Sequence, residues 1–302
     1  MKLTILGSYS ATPHVNKAPT AQLLEIRGHR FLIDCGEGTQ VRLRQHKIKF
    51  SHIKHIFISH LHGDHFYGLP GLISTFRLLG REAPLHIYGP KGIKEAIRML
   101  LKLADSWTNY ALHFHELDQD DSVLLYSDDQ VEVTTIPLKH RIYTNGFLFK
   151  ELPGLRKINK INTDKYQIDI SQFHKLKLGE DIKDDQGLTI PNSELTFNLS
   201  PTRSYAFCSD TAYFPELADA VHGVDVMYHE STFLEDRKDL ALKTYHSTAK
   251  QAAMIAKQAQ IGQLLLGHFS SRYKSLEPFL QEAQTVFENV QLASDGMVYD
   301  FE

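Results

Sequence analysis

The chain has 302 residues, of which 42% are hydrophobic and 23% are charged, and its formal net charge is −3. This is the composition of an ordinary globular protein, and it excludes a disordered chain and a uniformly basic nucleic-acid coat protein. Cys35 and Cys208 are the only cysteines. Two cysteines in apolar runs exclude a disulfide scaffold, and we expect both to be small buried side chains.

Apolar runs rich in β-branched residues predict strands, beginning with a strand at the N-terminus where a signal peptide would otherwise lie. The predicted strands are 2–6, 20–26, 29–34, 55–58, 85–88, 122–126, 130–137, 145–149, 203–208, 224–229, 263–267 and 297–301. Helical spacing predicts helices over 39–47, 67–79, 92–104, 247–259 and 277–287, the fourth starting at Ser247. No run approaches the roughly 18 apolar residues of a membrane span. We therefore expect a cytoplasmic protein without membrane contacts.

The alternation of short, mostly antiparallel strands with helices predicts an α/β protein with two sheets packed face to face and helices outside. Residues 152–200 differ, because they lack a sustained period of either kind. So long an irregular connection is uncommon without a function. Its first part is rich in lysine and arginine, which suits either an arm that contacts phosphates or a solvated hairpin whose charges maintain solubility. Charge alone does not separate these two interpretations.

Residues 59–65 read Ser-His-Leu-His-Gly-Asp-His and directly follow an apolar strand. Alternate residues of an extended segment point the same way, so His60 and His62 are expected to bind one metal ion together. Gly63 is expected to let the chain turn, so that Asp64 and His65 face a second ion. Imidazole and carboxylate suit zinc and similar divalent metals. Two such ions about 3.5–4 Å apart form a hydrolytic centre.

Three further residues of ligand type are expected at strand ends. His140 follows the strand 130–137, Asp210 follows 203–208, and His268 follows 263–267. Each alone is a weak signal. Together with the loop at 59–65 they have the placement expected when a rigid sheet holds a site on its rim.

At this point the chain resembles the metallo-β-lactamase superfamily and, within it, the short form of the ribonuclease Z family. The HxHxDH loop marks only the superfamily, whereas segments at other positions narrow the resemblance. These segments are Leu6-Gly7-Ser8 with Ala18-Pro19-Thr20, Gly36-Glu37-Gly38-Thr39, Pro137-Leu138-Lys139-His140, Ser209-Asp210-Thr211, His229-Glu230-Ser231-Thr232-Phe233, His246-Ser247-Thr248 and Gly267-His268-Phe269-Ser270. The resemblance covers almost the whole chain. It implies one domain over 1–302, a four-layer αβ/βα sandwich with two mixed sheets, and an arm at 152–200.

The resemblance also implies roles for particular residues. It assigns one metal to His60, His62 and His140, a second to Asp64, His65 and His268, and a bridging position to Asp210. The implied cofactors are two Zn²⁺ ions per subunit, with Mn²⁺ or another divalent ion as an alternative. Asp34 matches a position that supports a ligand, although a turn-forming aspartate before Gly36 is an equal interpretation.

The implied reaction is endonucleolytic removal of the 3′ trailer from precursor transfer RNA, which leaves a 3′-hydroxyl and uses water as the nucleophile. Asp64 would orient or deprotonate that water, and His246, supported by Glu230, would donate a proton to the leaving oxygen. Lys139 and Arg141, beside a metal ligand, are expected to contact RNA, as are Arg156, Lys157 and Lys160 of the arm. A homodimer is implied, in which the arm clamps transfer RNA. The arm departs from the family because it lacks a Gly-Pro-rich tip.

Three alternatives remain open at this point. Another dinuclear hydrolase of the same fold, such as a phosphodiesterase, an arylsulfatase or a lactonase, differs in the PxKH loop, His246 and the basic arm. A diiron redox protein usually has a carboxylate where this chain has His62. A catalytically inactive RNA-binding module would not need every ligand type to be present.

Overall fold

The computed structural model describes residues 1–12, 15–184, 187–198 and 201–301, and most of its strands form two seven-stranded sheets, with two further two-stranded sheets within 152–200. Sheet 1 contains β1 (Lys2–Gly7), β2 (Ala21–Ile26), β3 (His29–Ile33), β4 (Ile53–Phe57), β5 (Leu85–Pro90), β6 (Leu112–Leu117) and β18 (Val298–Asp300). Sheet 2 contains β7 (Leu124–Ser127), β8 (Val131–Pro137), β9 (Asn145–Glu151), β14 (Ser204–Cys208), β15 (Val226–Glu230), β16 (Gln263–Gly267) and β17 (Val290–Leu292). The predicted strands are all present, and β6 and β17 are additional.

The two sheets share one pattern of strand direction. Sheet 1 has the order β18-β1-β2-β3-β4-β5-β6, and its pairs are antiparallel as far as β3 and parallel from β3 to β6. Sheet 2 has the order β17-β16-β15-β14-β9-β8-β7, antiparallel from β7 to β14 and parallel from β14 to β17. The expectation of mostly antiparallel strands was therefore wrong, whereas the mixed sheets are confirmed. The carboxyl ends of the neighbouring parallel strands lie at the same edge of each sheet, where a functional site can form.

Aromatic side chains fill the space between the sheets. Phe31 and Phe57 of sheet 1 lie with ring centroids 5.6 and 5.4 Å from the ring of Phe149 of sheet 2. Helices cover the outer faces, so the central strands are buried on both sides and appear in the sequence as continuous apolar runs. The four layers of the expected sandwich are thus confirmed.

Five of the described helices outside the arm agree with the predicted positions, with shorter bounds, whereas three short helices at 63–66, 217–220 and 238–244 were not predicted. The helices outside the arm are α1 (Thr39–Gln45), α2 (Gly63–Phe66), α3 (Leu69–Leu78), α4 (Ile93–Leu103), α8 (Leu217–Ala220), α9 (Lys238–Thr244), α10 (Ala249–Gln258) and α11 (Glu277–Gln284). The start of α10 differs from the prediction, because Thr248 and not Ser247 caps it. The Thr248 side chain accepts the N–H of Gln251, whose side chain accepts the N–H of Thr248 in return.

Residues 152–200 contain short regular elements rather than an irregular connection. They are β10 (Lys157–Ile158), α5 (Lys160–Lys165), α6 (Phe173–Lys177), β11 (Ile182–Lys183), β12 (Thr189–Ile190), α7 (Asn192–Leu195) and β13 (Thr196–Phe197). They pack around a small core of their own, made of Leu176, Ile182, Ile190 and Leu195. Positions 185, 186, 199 and 200 of the predicted arm lie outside the described residues. Elements of two to six residues are too short to show a period in sequence.

Within the described ranges, no helix has both the length and the apolar character that a membrane crossing requires.

Candidate metal centre

The HxHxDH residues lie at the rim of sheet 1, with His60 and His62 on the loop after β4 and Asp64 and His65 in α2. His60 and His65 are fully buried, and Asp64 is 7% exposed. Gly63 has no positive φ, so the expected conformational role for this glycine was wrong. A Cβ there would lie 2.4 Å from the ring of Tyr67. Any other residue at this position would therefore require the Tyr67 ring, which packs against the backbone here, to move.

Three other strand ends bring the remaining predicted ligands to this loop. His140 follows β8, Asp210 follows β14 and His268 follows β16. Among the described residues the candidate ligand atoms form three groups, each with atoms within 4.8 Å of one another, and the third, Asp210, His246 and His268, shares members with the other two. The first group is His60, His62, His140 and Asp210, and the second is Asp64, His65 and His268.

Asp210 lies between the first two groups. Its Oδ1 is 3.1 Å from His268 Nε2 and 3.6 Å from His65 Nε2. Its Oδ2 is 3.7 Å from His60 Nε2 and 3.9 Å from His140 Nε2. One carboxylate thus presents an oxygen to each group, which is the geometry of a bridging ligand.

The distances between the donor atoms, their burial and their pKa shifts all suit the binding of divalent cations. His62 Nδ1 lies 3.0 Å from His60 Nε2 and 3.3 Å from His140 Nε2, so imidazole nitrogens converge. His65 Nε2 is buried without a hydrogen-bond partner. Burial lowers the pKa of His60, His62 and His140, which favours the neutral form that binds metal. A cation bound among these buried imidazoles and carboxylates would accept their lone pairs and would give His65 Nε2 the partner that it lacks.

Backbone and carboxylate partners orient two of these rings. His140 Nδ1 lies 2.8 Å from the carbonyl oxygen of Tyr245, so this nitrogen donates and Nε2 keeps its lone pair. His65 Nδ1 lies 2.6 Å from Asp34 Oδ2, so this nitrogen donates to the carboxylate and His65 Nε2 keeps its lone pair. Asp34 also has a φ of 56°. Both interpretations of Asp34 therefore apply, because it turns the chain and holds a candidate ligand.

His246 and Glu230 form a contact pair beside the metal groups. His246 Nδ1 lies 2.6 Å from Glu230 Oε1 and 4.0 Å from Asp210 Oδ2. Burial alone would lower the pKa of His246, but the charge of Glu230 and its hydrogen bond outweigh burial and raise the pKa to about 9. In turn His246 holds the pKa of Glu230 below its usual range despite burial. The pair can therefore hold a proton at neutral pH.

A cleft of about 380 Å³ opens onto this centre. Its lining includes Asp64, Asp210, His246 and His268, with Arg141 and Arg272 also present. Arg272 is held by Ser270, whose Oγ accepts the Arg272 N–H at 3.4 Å and a guanidinium N–H at 3.2 Å. Arg272 was not predicted from the sequence, because a single arginine after a strand end has many possible surface roles.

The other predicted RNA-contacting residues lie outside this cleft lining. Lys139 lies 4.4 Å from the centroid of the Phe214 ring and 3.7 Å from Glu216. Arg156, Lys157 and Lys160 lie on the arm, around a shallow concavity of about 490 Å³. Arg156 Nε donates to Thr196 Oγ1 at 2.7 Å, and Lys160 pairs with Asp164 at 2.6 Å. Lys157 is exposed.

Comparison with known proteins places this geometry in context. Residues 1–152 match the family model described as Anti-Pycsar protein Apyc1, and residues 160–269 match the one described as Beta-lactamase superfamily domain. Ribonuclease Z of Bacteroides thetaiotaomicron is 45% identical over 98% of this chain and 94% of its own length. Ribonuclease Z of Porphyromonas gingivalis is 43% identical over 98% of this chain and 97% of its own length.

A solved structure agrees with these relatives. Human tRNase Z, short form, superposes with a TM-score of 0.73 at 28% identity, and 99% of each chain is covered. Sequence and structure both match along nearly the whole chain, including the strand ends that carry the candidate ligands. The chain belongs to the ribonuclease Z family of the metallo-β-lactamase fold.

Proposed function

We propose that the protein is a metal-dependent endoribonuclease that removes the 3′ trailer from precursor transfer RNA and leaves a 3′-hydroxyl. The observation that carries this proposal is the acid pair, His246 with Glu230, beside a dinuclear ligand set bridged by Asp210. Relatives of the same length that are named ribonuclease Z support the same activity.

His60, His62 and His140 would hold one ion, and Asp64, His65 and His268 the other, with Asp210 shared. We propose two Zn²⁺ ions, because neutral imidazoles and carboxylates suit zinc, and Mn²⁺ is the alternative. When bound, two such ions supply Lewis acidity and lower the pKa of water from near 16 to about 7.

Asp64 is suited to orient the attacking water. It lines the cleft, and its Oδ2 lies 3.4 Å from both His65 Nε2 and His268 Nε2. Its carboxylate therefore lies beside the two imidazoles of its own ligand group and borders the cleft, where the phosphodiester would enter. From there it can accept a hydrogen bond from the water and set the direction of attack.

His246 is suited to protonate the leaving 3′-oxygen. Its Nδ1 is committed to Glu230, which leaves Nε2 as the nitrogen that donates. The side chain lines the cleft. Glu230 is buried, so its charge acts on His246 with little screening by solvent.

Substrate contact divides between the cleft and the arm. Arg141 and Arg272 at the cleft are placed to bind phosphates near the cut. We propose that 152–200 form an arm on the 1–302 domain and that Arg156, Lys157 and Lys160 contact RNA farther from the cut, as Lys139 does nearer to it. The exposure of Lys157 and the concavity at the base of the arm support this role.

We also propose that the protein is a cytoplasmic homodimer. Val41 on α1 is 52% exposed, and Tyr67 and Leu78, next to and on α3, are 61% and 83% exposed. The two helices contact each other, since Thr75 Oγ1 donates to Gln40 Oε1 at 3.1 Å. Exposed apolar groups on adjacent helices suit an interface between copies. Cys35 and Cys208, both buried and free, suit a reducing compartment.

The proposal is tested with purified protein and a precursor transfer RNA labelled at its 5′ end. We expect one cut near the 3′ end of the mature sequence, a product with a 3′-hydroxyl, and loss of cleavage with a chelator that added Zn²⁺ or Mn²⁺ reverses. A panel of small esters, including a cyclic nucleotide, an aryl sulfate and a lactone, is run in parallel. Faster turnover of one of these than of precursor transfer RNA would identify another hydrolase of the same fold.

A further inference from the structure

Two buried hydroxyl groups, those of Ser59 and Thr232, each lie between a buried carboxylate and an imidazole of the metal centre. Ser59 is fully buried and Thr232 is 4% exposed. Neither has a part in the function proposed above. Their hydrogen bonds nevertheless decide which nitrogen of a neighbouring histidine carries a proton.

Ser59 Oγ lies 2.9 Å from Asp34 Oδ2 and 3.0 Å from His60 Nδ1. A hydroxyl has one hydrogen, and an ionised carboxylate only accepts. The hydroxyl hydrogen is therefore donated to Asp34, whose Oδ1 also accepts the Ser59 N–H at 2.7 Å. His60 Nδ1 must then carry a hydrogen and donate it to Ser59. This leaves a lone pair on His60 Nε2, the atom that faces Asp210.

Thr232 makes the corresponding contacts in sheet 2, where its hydroxyl again lies between a carboxylate and an imidazole. Its Oγ1 donates to Glu230 Oε2 at 2.7 Å, and the same carboxylate oxygen accepts the Thr232 N–H at 3.0 Å. His268 Nδ1 lies 2.9 Å from Thr232 Oγ1 and can only donate to it. The lone pair of His268 is then on Nε2, which lies 3.1 Å from Asp210 Oδ1.

We propose that Ser59 and Thr232 are positioning residues that fix the tautomers of His60 and His268, so that both present Nε2 to the metal ions. This inference rests on the metal binding in the function proposed above. Each relay runs from carboxylate to hydroxyl to imidazole, although Asp34 and Ser59 follow β3 and β4 of sheet 1, whereas Glu230 and Thr232 lie at the end of β15 in sheet 2. Glu230 thereby serves both the proton donor His246 and the ligand His268.

Without the hydroxyl, the imidazole loses the acceptor that selects its tautomer. A fraction of the protein then carries the hydrogen on Nε2, where it opposes a cation. The apparent metal affinity should fall in proportion to the fraction of protein that has the hydrogen on Nε2. Loss of the hydrogen bond that orients the ring should lower the affinity further. Partners of this kind typically change metal affinity by roughly 10- to 100-fold when they are removed.

The test measures the zinc affinity of the metal-loaded protein by competition with a chromophoric chelator at one neutral pH. Thr232→Val keeps the shape of the side chain and removes the hydroxyl, and we expect affinity to fall by roughly 10- to 100-fold. Thr232→Ser keeps the hydroxyl and should restore most of the affinity. Ser231→Ala is the matched control, because Ser231 is buried next to Thr232 but donates to the carbonyl of Gly267. It should bind zinc like the parent protein.

The proposal is overturned if Thr232→Val binds zinc as tightly as the parent, or if Thr232→Ser is as weak as Thr232→Val. Thr232→Ala provides a second removal of the hydroxyl that cannot clash, should the valine variant fail to fold. Ser59→Ala tests the first relay and is expected to weaken zinc binding as well. Metal affinity is measured without RNA, so a protein that binds zinc as expected but leaves precursor transfer RNA intact would contradict the proposed function and not the relays.

Discussion

The metal centre and the arm differ in the burial of their charged groups, which are enclosed and paired in the centre and exposed on the arm. In the centre, His65 is fully buried and held by Asp34, and Asp210 is 3% exposed with an imidazole near each oxygen. On the arm, Lys157 is exposed and Lys160 pairs with Asp164 at the surface, with its Nζ 5.6 Å from the centroid of the Phe173 ring. Burial forces every polar group to find a partner, so the geometry of the centre is determined by its neighbours. An exposed cation is weakly constrained and individually replaceable.

The largest effect is expected from Asp210→Asn, which keeps the size of the side chain and removes the shared charge. We expect loss of tightly bound metal and turnover that falls to background, because one residue serves both groups. Metal content by mass spectrometry and cleavage of precursor transfer RNA measure this. Asp128→Asn, at the far edge where Asp128 pairs with His29 at 2.9 Å, is the control and should keep both. Two retained ions in Asp210→Asn would contradict the bridging role.

His246→Ala separates proton donation from metal binding inside the same centre. We expect a loss of turnover of at least roughly a hundredfold with metal content unchanged, since the proposed role of His246 is to donate a proton, although its ring lies within reach of a cation at Asp210 and His268. Single-turnover cleavage and metal analysis test this. His222→Ala, an exposed histidine outside the cleft, should behave like the parent. Loss of metal together with activity would refute the role as a proton donor.

Removal of the whole arm should affect recognition and not chemistry. β9 and β14 are antiparallel neighbours, with Lys150 opposite Ser204, so a short turn can replace 153–201 and close a hairpin. A partial deletion over 156–177 would instead break the small core of the arm. We expect KM for precursor transfer RNA to rise at least roughly tenfold through lost phosphate contacts. Hydrolysis of a small phosphodiester should not change.

The same two measurements, cleavage of precursor transfer RNA and hydrolysis of the small phosphodiester, also show which results would contradict a role of the arm in recognition. Equal losses on RNA and on the small phosphodiester would show that the arm supports the fold of the centre. No loss on either substrate would remove the arm from RNA recognition.

The smallest effect concerns His55, a histidine away from the centre. Burial, together with the neighbouring His86, lowers the pKa of His55 to about 4. The unfolded chain binds a proton at His55 below about 6.5, whereas the folded chain stays neutral until about 4. Its contribution to stability is therefore complete above about pH 6.5 and is lost as the pH falls toward 4.

Chemical denaturation at several pH values between these limits measures this dependence. His55→Phe keeps a ring in the contact with Tyr126, where the centroids are 4.7 Å apart, and removes the titrating group. The variant should lose less stability than the parent over this pH range. Parallel curves for the two proteins would assign the acid sensitivity to other groups.

The sequence signal for the candidate metal centre is local, and the structure brings the predicted ligand residues close together. Four candidate ligands lie within one short segment, and the others end apolar strands, where side-chain type and position can both be read. The strand β6 was missed because the exposed His113, His115 and Glu116 interrupt its apolar residues, and β17 because it has three residues. Thr248 was mistaken for a second helical residue, since Ser247 is an equally good cap by type.

Other features depend on contacts that no local pattern records. The hydroxyl of Thr232 gains its role from His268, 36 positions away. The positive φ of His268, 58°, points the ring toward Asp210 and cannot be inferred from the residue type. The short elements of the arm pack on one another across 152–200, and the apolar residues of its core are spaced without period.

The wide separation of the ligands along the chain has a consequence during synthesis. His60 emerges from the ribosome early, whereas His268 and the strand β18, which pairs with β1, come near the end. A nascent chain therefore holds imidazoles but no complete pair of cation sites until residue 268 is available. The proposed cleavage of precursor transfer RNA therefore requires synthesis of the chain at least through residue 268, because both candidate ion sites are incomplete before that point.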